Sequence, residues 1–253
     1  MDGTKIKIKA AGHLHPLTQM IYQATSAFER LGFSVALGPE LETEYYNFDA
    51  LNVPADHPAR DMQDTFWVKS KTIGQRTREL LRTHTSPVQI RYMEKHKPPL
   101  AIVVPGKIFR NEATDATHEA QFYQLEGLMI GRDISLANMK AVLEKFFQEI
   151  FGPTLKIRLR PSFFPFVEPG AEVDVSCFGC DGSGCNLCKQ SGWIEILGAG
   201  MVHPNVLQAV QLDPEVWSGF AFGMGLDRLV MLKYGLDDIR QLYSGDWRLV
   251  KQF

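Results

Sequence analysis

The sequence predicts an α+β fold in which a mainly antiparallel sheet is flanked by helices. Three observations lead to this prediction. Amphipathic helical patterns recur along the chain, several apolar or alternating runs are typical of strands, and the strands do not alternate regularly with helices. With 253 residues, 45% hydrophobic and 22% charged, the chain is long enough and apolar enough to bury a sizeable core.

The first half of the chain begins with a helix predicted over residues 16–31, which starts at Pro16 and ends at Gly32. A short extended run, "FSVAL", follows it, and "GP" and "ADHPARD" predict loops. The runs "LAIVVPGKIFRNE" and "QFYQLEGLMIG" then predict an antiparallel strand pair joined by the polar loop "ATDATHEA".

The second half begins with a helix predicted over residues 135–151, followed by a strand at "TLKIRLRP". The runs "GAEVDVS" and "GWIEILG" alternate apolar and polar residues and predict two strands of an enlarged hairpin. Towards the end of the chain, "WSGFAFG" predicts a strand and "LDRLVMLKY" a helix stopped by Gly235.

All four cysteines lie between those hairpin strands, in "CFGCDGSGCNLC", residues 177–188, which we call the cysteine knuckle. The spacing C-x2-C, x4, C-x2-C presents two pairs of thiolates to one tetrahedral ion, and zinc is the metal it favours. The predicted ligands are Cys177, Cys180, Cys185 and Cys188. Four protein ligands leave no open position, so the predicted site is structural. Disulfides or idle thiols are the alternatives.

The overall charge excludes a general attraction to nucleic acid. The formal net charge is -2 and the pI is near 6.4, so a nucleic-acid partner would need a local basic patch or another subunit. No apolar run approaches the ~18 residues of a membrane span. Clustered metal-type cysteines favour a reducing compartment, and we therefore expect a cytoplasmic protein.

Two motifs carry candidate chemistry. In "FRNE", alternation places Arg110 and Glu112 on one face, beside Gln124 and Glu126 of the next strand. A solvated cross-strand ion pair is the alternative. In "FAFGMGLDRL", two glycines let a strand approach a ligand closely and Arg228 opens the next helix, which suits phosphate binding. Glycines that only make room for helix packing are the alternative.

Three features in order along the chain resemble the three motifs of class II aminoacyl-tRNA synthetases. They are a long helix with a strand that ends in proline, an arginine-bearing hairpin, and a glycine-containing strand that leads into an arginine-bearing helix. Several ordered matches narrow the resemblance to the bacterial phenylalanyl-tRNA synthetase alpha subunits. They are "HPLTQ", "NFDALN", "HPARD", "RTHTSPVQIRYM", "TDATHEAQFYQLEG", "FFPFVEPGAE", "GAGMVHPNVL" and "GFAFGMGLDRLVMLKYG". The resemblance runs from about residue 12 to Phe253.

For ATP, the resemblance implies that Arg110 holds the α-phosphate and Arg228 the terminal phosphate. It also implies that Phe122 stacks on adenine and that Glu112 helps to order the nucleotide. Two cations at the two ends of a triphosphate would offset charge while the phenylalanine carboxylate attacks the α-phosphorus and pyrophosphate departs. Catalysis would then rest on positioning and electrostatics.

For the amino acid, the resemblance implies four polar residues at its ammonium and carboxylate groups: His84, Ser86, Gln124 and Glu126. It implies a ring pocket lined by Phe164, Phe166, Val167 and Ala221. Without the resemblance, a histidine is more often a structural hydrogen-bonding residue, and "FFPF" is core. Glu168, in "FVEPG", is implied to bind Mg²⁺ jointly with a partner subunit, whereas on its own it would be a solvated acid.

The resemblance implies an ATP-dependent ligase that makes phenylalanyl-adenylate and charges tRNA(Phe), with a beta subunit as partner in an alpha2beta2 assembly and no membrane association. The predicted domain organisation is a lead-in at 1–11 and a catalytic core at 12–253, with the knuckle inserted at 177–188. Two departures stand out. The usual amino-terminal helical hairpin is not expected in this sequence, and Asp227 occupies a place where glutamate is usual.

Two rival functions remain open at this stage. A related class II synthetase could act on another substrate, although the apolar "FFPF" and Ala221 argue against a charged one. A catalytically silent scaffold or nucleic-acid-binding module could instead be organised by the cysteine knuckle. Such a module would not need Arg110 and Arg228, and both are present.

Overall fold

A computed structural model describes residues 12–60, 65–69 and 78–253. The predicted lead-in at 1–11 lies outside the described residues, as does Asp61 at the end of the predicted loop "ADHPARD". The division into a lead-in and a core therefore stays a prediction.

Within these residues the α-helices are α1 (Pro16–Arg30), α2 (Glu44–Asn47), α3 (Ser86–Met93), α4 (Leu136–Phe151), α5 (Pro204–Ala209), α6 (Leu226–Tyr234) and α7 (Trp247–Val250). The strands are β1 (Ser34–Val35), β2 (Leu41–Thr43), β3 (Trp67–Val68), β4 (Glu79–Leu81), β5 (Leu100–Phe109), β6 (Gln121–Gly131), β7 (Ile157–Phe164), β8 (Val167–Ser176), β9 (Trp193–Val202) and β10 (Ser218–Gly225). Short 3-10 turns occupy Asp49–Leu51, Pro58–Arg60 and Ile239–Tyr243.

Seven strands form the main sheet, in the order β1-β5-β6-β10-β9-β8-β7. Every neighbouring pair is antiparallel except β1 with β5, which is parallel. The predicted mainly antiparallel sheet is thus confirmed. A second, three-stranded sheet in the order β2-β4-β3 was not predicted from the sequence.

The long helices begin and end where the sequence places start and stop signals. The Leu17 N–H donates to Nδ1 of His15 at the start of α1, with Pro16 at the first helical position. A capping box between Ser135 and Asn138 starts α4. Gly235 ends α6 with a φ of 69°, which lies in the left-handed region that favours glycine.

Alternation along the strands divides the core between the two faces of the main sheet. On one face, α1, α4 and α6 pack against the sheet, and Phe28 stacks between Phe146 (ring centroids 4.4 Å apart) and Phe222 (5.1 Å). Ala221 points the other way, into the second cluster of buried side chains. The candidate site lies on this second face.

In the part of the chain that the structure describes, no helix has the combination of length and apolar character needed to cross a bilayer.

The aromatic stack predicts a large cost for removing one of its outer rings, that of Phe146. Phe146 is fully buried, so Phe146→Ala should lower the free energy of unfolding by about 3 to 5 kcal/mol through lost burial and a residual cavity. Urea unfolding followed by circular dichroism measures this loss. Phe163→Ala is the matched control, because Phe163 is 81% exposed and its loss should change stability little. Equal effects of the two changes would contradict the packing described here.

Candidate active site

A cavity of about 290 Å³, which we call the Glu126 cavity, lies on the second face of the main sheet. Its lining contains seven of the eight residues predicted to bind the amino acid: His84, Ser86, Gln124, Glu126, Phe164, Phe166 and Ala221. The strand order brings them together, because β6 runs between β5 and β10 and the residues at spacing two on β6 face the same side. The volume suits one small molecule.

Glu126 is the most constrained ionisable group of this cavity. Its carboxylate is 4% exposed and accepts hydrogen bonds from the Thr85 N–H (3.1 Å), from Nε2 of Gln89 (2.9 Å) and from the Ser86 hydroxyl. Burial raises the pKa of Glu126 to about 7, although these donors and the charge of Arg110 oppose the rise. A buried carboxylate aimed into a cavity is suited to bind a cation such as an ammonium group.

Two other polar side chains at this cavity each leave an atom without a partner. Among the described residues, Nδ1 of His84 and Oε1 of Gln124 are buried and make no hydrogen bond. Burial lowers the pKa of His84 to about 3, and the nearby charge of Arg110 adds to the effect, so the imidazole is neutral at pH 7. Buried polar atoms without partners are uncommon, and at a cavity they indicate a polar ligand.

The opposite wall of the Glu126 cavity is apolar. The rings of Phe164 and Phe166 lie 6.1 Å apart, centroid to centroid, and Ala221 contributes only a methyl group. Gly198 leaves room for Phe164, because a Cβ there would lie 2.8 Å from Cζ of that ring. This wall can pack against an apolar or aromatic group.

The sequence analysis missed Gln89 and α3, the helix that carries it. Ser86 and Gln89 are three residues apart, which places them on one face of the helix, and both donate to Glu126. The helical spacing in "SPVQIRYM" was the available signal. Arg82 was also missed: it is 3% exposed and donates to the carbonyls of Lys107 (2.8 Å) and Gly38 (3.1 Å).

A larger cavity of about 720 Å³, which we call the Arg228 cavity, adjoins the first. Its lining contains all four residues predicted to bind ATP: Arg110, Glu112, Phe122 and Arg228. Cζ of Arg110 lies 5.2 Å from the centre of the Phe122 ring. Arg110 lines both cavities, and its guanidinium therefore lies where they meet.

Asp227, where the resemblance led us to expect glutamate, is hydrogen-bonded within the protein. It is 1% exposed and accepts hydrogen bonds from the Tyr123 N–H (2.7 Å) and from the Tyr243 hydroxyl. Burial raises the pKa of Asp227 to about 6. These contacts connect the start of α6 to β6 and to the 3-10 turn Ile239–Tyr243. Next to Asp227, Arg228 donates to the Glu195 carbonyl at 2.9 Å.

Val167 and Glu168 lie at a third cavity, of about 460 Å³, and not at the Glu126 cavity. Glu168 is 74% exposed at its side chain, and its carboxylate lies 3.2 Å from Nε2 of His203. An exposed carboxylate is a chemically suitable ligand for Mg²⁺. Within the described residues, however, no further acidic group joins Glu168 in a cluster of three potential ligands.

The cysteine knuckle joins β8 to β9, as predicted, and brings its four Sγ atoms within 4.8 Å of one another. Sγ–Sγ distances are 3.7 Å for Cys177 with Cys185 and 3.8 Å for Cys180 with Cys188. Disulfide bonds are about 2.05 Å long, so none is formed. A tetrahedral zinc with bonds of about 2.3 Å requires edges of about 3.8 Å.

Backbone N–H groups favour the thiolate form of Cys188, whereas burial raises the pKa of the Cys177 thiol. Burial opposes ionisation, but N–H donation from Cys185 (3.2 Å) and Gly192 (3.3 Å) lowers the pKa of the Cys188 thiol to about 6. The spacing of the sulfur atoms suits a divalent metal ion, and so does the lowered pKa of Cys188.

Comparisons with known proteins give consistent results. Residues 3–253 match the family model described as the tRNA synthetases class II core domain (F). The phenylalanine–tRNA ligase alpha subunit of Desulfotalea psychrophila is 56% identical over 244 residues, which cover 96% of this chain and 70% of that protein. The subunit of the same name from Bacillus licheniformis is 54% identical, over 100% of this chain and 71% of the relative.

Among solved structures, the pyrrolysyl-tRNA synthetase of Desulfitobacterium hafniense superposes with a TM-score of 0.65 at 18% identity. The match covers 89% of this chain and 72% of the other. At this identity the likeness concerns the fold alone, which is that of a class II synthetase core.

The raised pKa of Glu126 predicts a pH dependence of stability. The ordinary value is 4.5 and the folded value about 7, so the folded state binds more protons between these limits. The free energy of unfolding should therefore fall as pH rises from 4.5 to 7, by at most about 3 kcal/mol. Glu126→Gln removes the titrating group, so its stability relative to the unchanged protein should rise between pH 5 and pH 8.

Urea unfolding at those two pH values tests this prediction. Glu29→Gln, on the exposed side of α1, serves as the control for loss of one carboxylate. A stability difference between Glu126→Gln and the unchanged protein that is the same at both pH values would refute the assignment.

Proposed function

We propose that this chain, which belongs to the family of phenylalanine–tRNA ligase alpha subunits within the class II tRNA synthetases, activates L-phenylalanine with ATP and passes the phenylalanyl group to tRNA(Phe). The carboxylate of phenylalanine attacks the α-phosphorus of ATP, and the bond to the departing pyrophosphate breaks. A ribose hydroxyl of the tRNA then attacks the adenylate carbonyl and releases AMP.

One observation carries this proposal: Arg110 lines both the Glu126 cavity and the Arg228 cavity. Adenylate formation needs one cavity for a small amino acid and an adjoining one for a nucleotide, with the reacting carboxylate and α-phosphate at their junction. A guanidinium at that junction can bind the α-phosphate and stabilise the charge that develops during attack. Arg228 binds the terminal phosphate at the far end.

The amino acid is held by the polar and apolar walls of the Glu126 cavity. His84, Ser86, Gln124 and Glu126 surround its ammonium and carboxylate groups, supported by the two unpartnered atoms at His84 and Gln124. The ring packs against Phe164, Phe166 and Ala221. Val167 does not line this cavity, but it belongs to the same buried cluster as Ala221, and we propose that it supports the ring pocket through that cluster.

The nucleotide is held in the Arg228 cavity. Phe122 provides an aromatic face for adenine, and Glu112 helps to order the nucleotide. Glu168 offers a Mg²⁺ ion one exposed carboxylate, and we propose that the beta subunit supplies the other ligands. Mg²⁺ would contribute by neutralising negative charge near its ligands.

The assembly we propose contains this chain and a beta subunit in an alpha2beta2 heterotetramer that binds tRNA(Phe). The net charge of -2 supports shared binding of tRNA, since the whole chain provides no general attraction for a polyanion. We further propose that the knuckle holds structural Zn²⁺ through Cys177, Cys180, Cys185 and Cys188. A reducing compartment such as the cytoplasm would keep these thiols available.

Exchange of pyrophosphate into ATP tests the first half-reaction. Phenylalanine should support exchange in the chain assembled with a bacterial beta subunit, and other amino acids should support much less. Arg228→Ala should lower the exchange rate roughly 100-fold or more, because a cation at the developing charge is lost. Arg248→Ala is the matched control, since Arg248 is 90% exposed at its side chain and pairs with Asp246.

The absence of exchange with every amino acid, with and without the beta subunit, would contradict the proposed function. Exchange with a different amino acid alone would support a related synthetase.

Metal analysis tests the proposed zinc site. We expect about one zinc per chain in the purified protein, and loss of that zinc in Cys177→Ser/Cys185→Ser, because two of four ligands are removed. Ser183→Ala is the control, since Ser183 lies in the knuckle and its hydroxyl donates only to the Cys180 carbonyl. Full retention of zinc by the double variant would refute the ligand set.

A further inference from the structure

The turn that closes the cysteine knuckle contributes two side chains to the wall of the Arg228 cavity. They are Leu187 and Lys189, which lie on either side of Cys188. None of the roles proposed above involves either residue. A segment that serves only to join β8 to β9 would have no need to line the nucleotide cavity.

The backbone of this turn is held in a fixed shape by its own hydrogen bonds. The Lys189 N–H donates to the Asn186 carbonyl (3.2 Å), the Gln190 N–H to the Cys185 carbonyl (2.9 Å) and the Ser191 N–H to the Cys188 carbonyl (3.0 Å). Lys189 and Gln190 have φ values of 51° and 67°. Two consecutive non-glycine residues in the left-handed region are uncommon and require support from their surroundings.

The Cys188 thiol ties this turn to the rest of the knuckle. Cys188 is 4% exposed, and its Sγ accepts from the N–H groups of Cys185 and Gly192. The position of the Lys189 backbone is therefore set by the knuckle, while its side chain remains exposed at the cavity. A lysine on a fixed backbone loses less conformational entropy when its ammonium group binds an anion than a lysine on a flexible loop does.

We propose that Lys189 is a further phosphate-binding residue of the nucleotide site, which contacts the β- and γ-phosphates of ATP together with Arg228, and that Leu187 covers the nucleotide from the same side. This inference rests on the proposed function, because it takes ATP to be the occupant of the Arg228 cavity. Among the described residues, the basic side chains that line this cavity are those of Arg110, His118, Lys189 and Arg228. A lysine ammonium acts on a triphosphate as a point charge.

The assignment to the outer phosphates follows from the positions of the other two cations. Arg110 lies at the junction with the Glu126 cavity, where the α-phosphate must react. Lys189 and Arg228 do not line the Glu126 cavity, so they face the part of the nucleotide away from the amino acid. Arg228 is also linked to β9, the strand that follows the knuckle, through the Glu195 carbonyl.

Equilibrium binding of ATP and of AMP distinguishes this role from a structural one. The protein assembled with its beta subunit is titrated with each nucleotide by calorimetry, and with phenylalanine as a third ligand. Lys189→Ala should weaken ATP binding by about fivefold to tenfold and leave AMP and phenylalanine binding unchanged, because only ATP carries β- and γ-phosphates. Lys189→Arg should restore most of the loss.

Lys156→Ala is the matched control. Lys156 is exposed next to the knuckle but lines a different cavity, with Cys177 and Phe178, and its loss should leave all three affinities unchanged. Leu187→Ala should weaken ATP and AMP alike, since its contact does not depend on the outer phosphates.

Three results would overturn the inference: unchanged ATP affinity in Lys189→Ala, an equal loss for ATP and AMP in that variant, or an equal loss in Lys156→Ala. Failure of the proposed function gives a different result, because the unchanged protein would then bind neither ATP nor phenylalanine.

Discussion

The cost of burying the Glu126 carboxylate governs how the site is built. A carboxylate that is 4% exposed loses most of its hydration, and this loss must be offset by donors at fixed positions. Two of the donors, Ser86 and Gln89, come from α3, and the third is the Thr85 N–H just before it. The segment that carries α3 is therefore fastened to the sheet at the point where the ligand is to bind. Burial of Glu126 therefore costs folding free energy, and it leaves a desolvated carboxyl group at the cavity where a ligand can contact it.

The order of the strands places a second cavity beside the one that contains Glu126. β6 lies between β5 and β10, and its residues at spacing two face the cavities one after another along the strand. Glu126 and Gln124 serve the smaller cavity, and Phe122, one position further in the same alternation, serves the larger. The spacing of two residues along one strand thus places successive side chains at the two cavities. Arg110, which follows β5, completes the junction.

Sequence periodicity predicted those parts of the molecule that depend on local pattern. Helices α1, α4 and α6 and the long strands β5 to β10 of the main sheet have apolar periods that are long enough to recognise, and the structure contains them. The short strands β2, β3 and β4 are only two or three residues long, and a period cannot be recognised over so few positions. Helix α3 was missed because its polar face points inwards: Ser86 and Gln89 are buried, so the usual relation between polarity and exposure is reversed.

Among the candidate site residues, too, some could be predicted from local sequence pattern and others could not. Gln124 and Glu126 could be paired with Arg110 from strand alternation alone, but their use as ligand-binding residues came only from the family resemblance. Nothing in the local sequence separates Phe166, which lines the Glu126 cavity, from Val167 and Glu168, which line another. The pairing of β8 with β9 also shifts in register between Val167 and Gly170, and such an irregularity depends on both strands. The two compartments also differ in how completely they are formed. The smaller is lined mainly by buried or half-buried groups, whereas the larger has exposed cations on a helix and the knuckle, besides the half-buried Arg110. In the proposed function, the amino acid therefore contacts groups that are already in position, and the nucleotide contacts mainly exposed side chains.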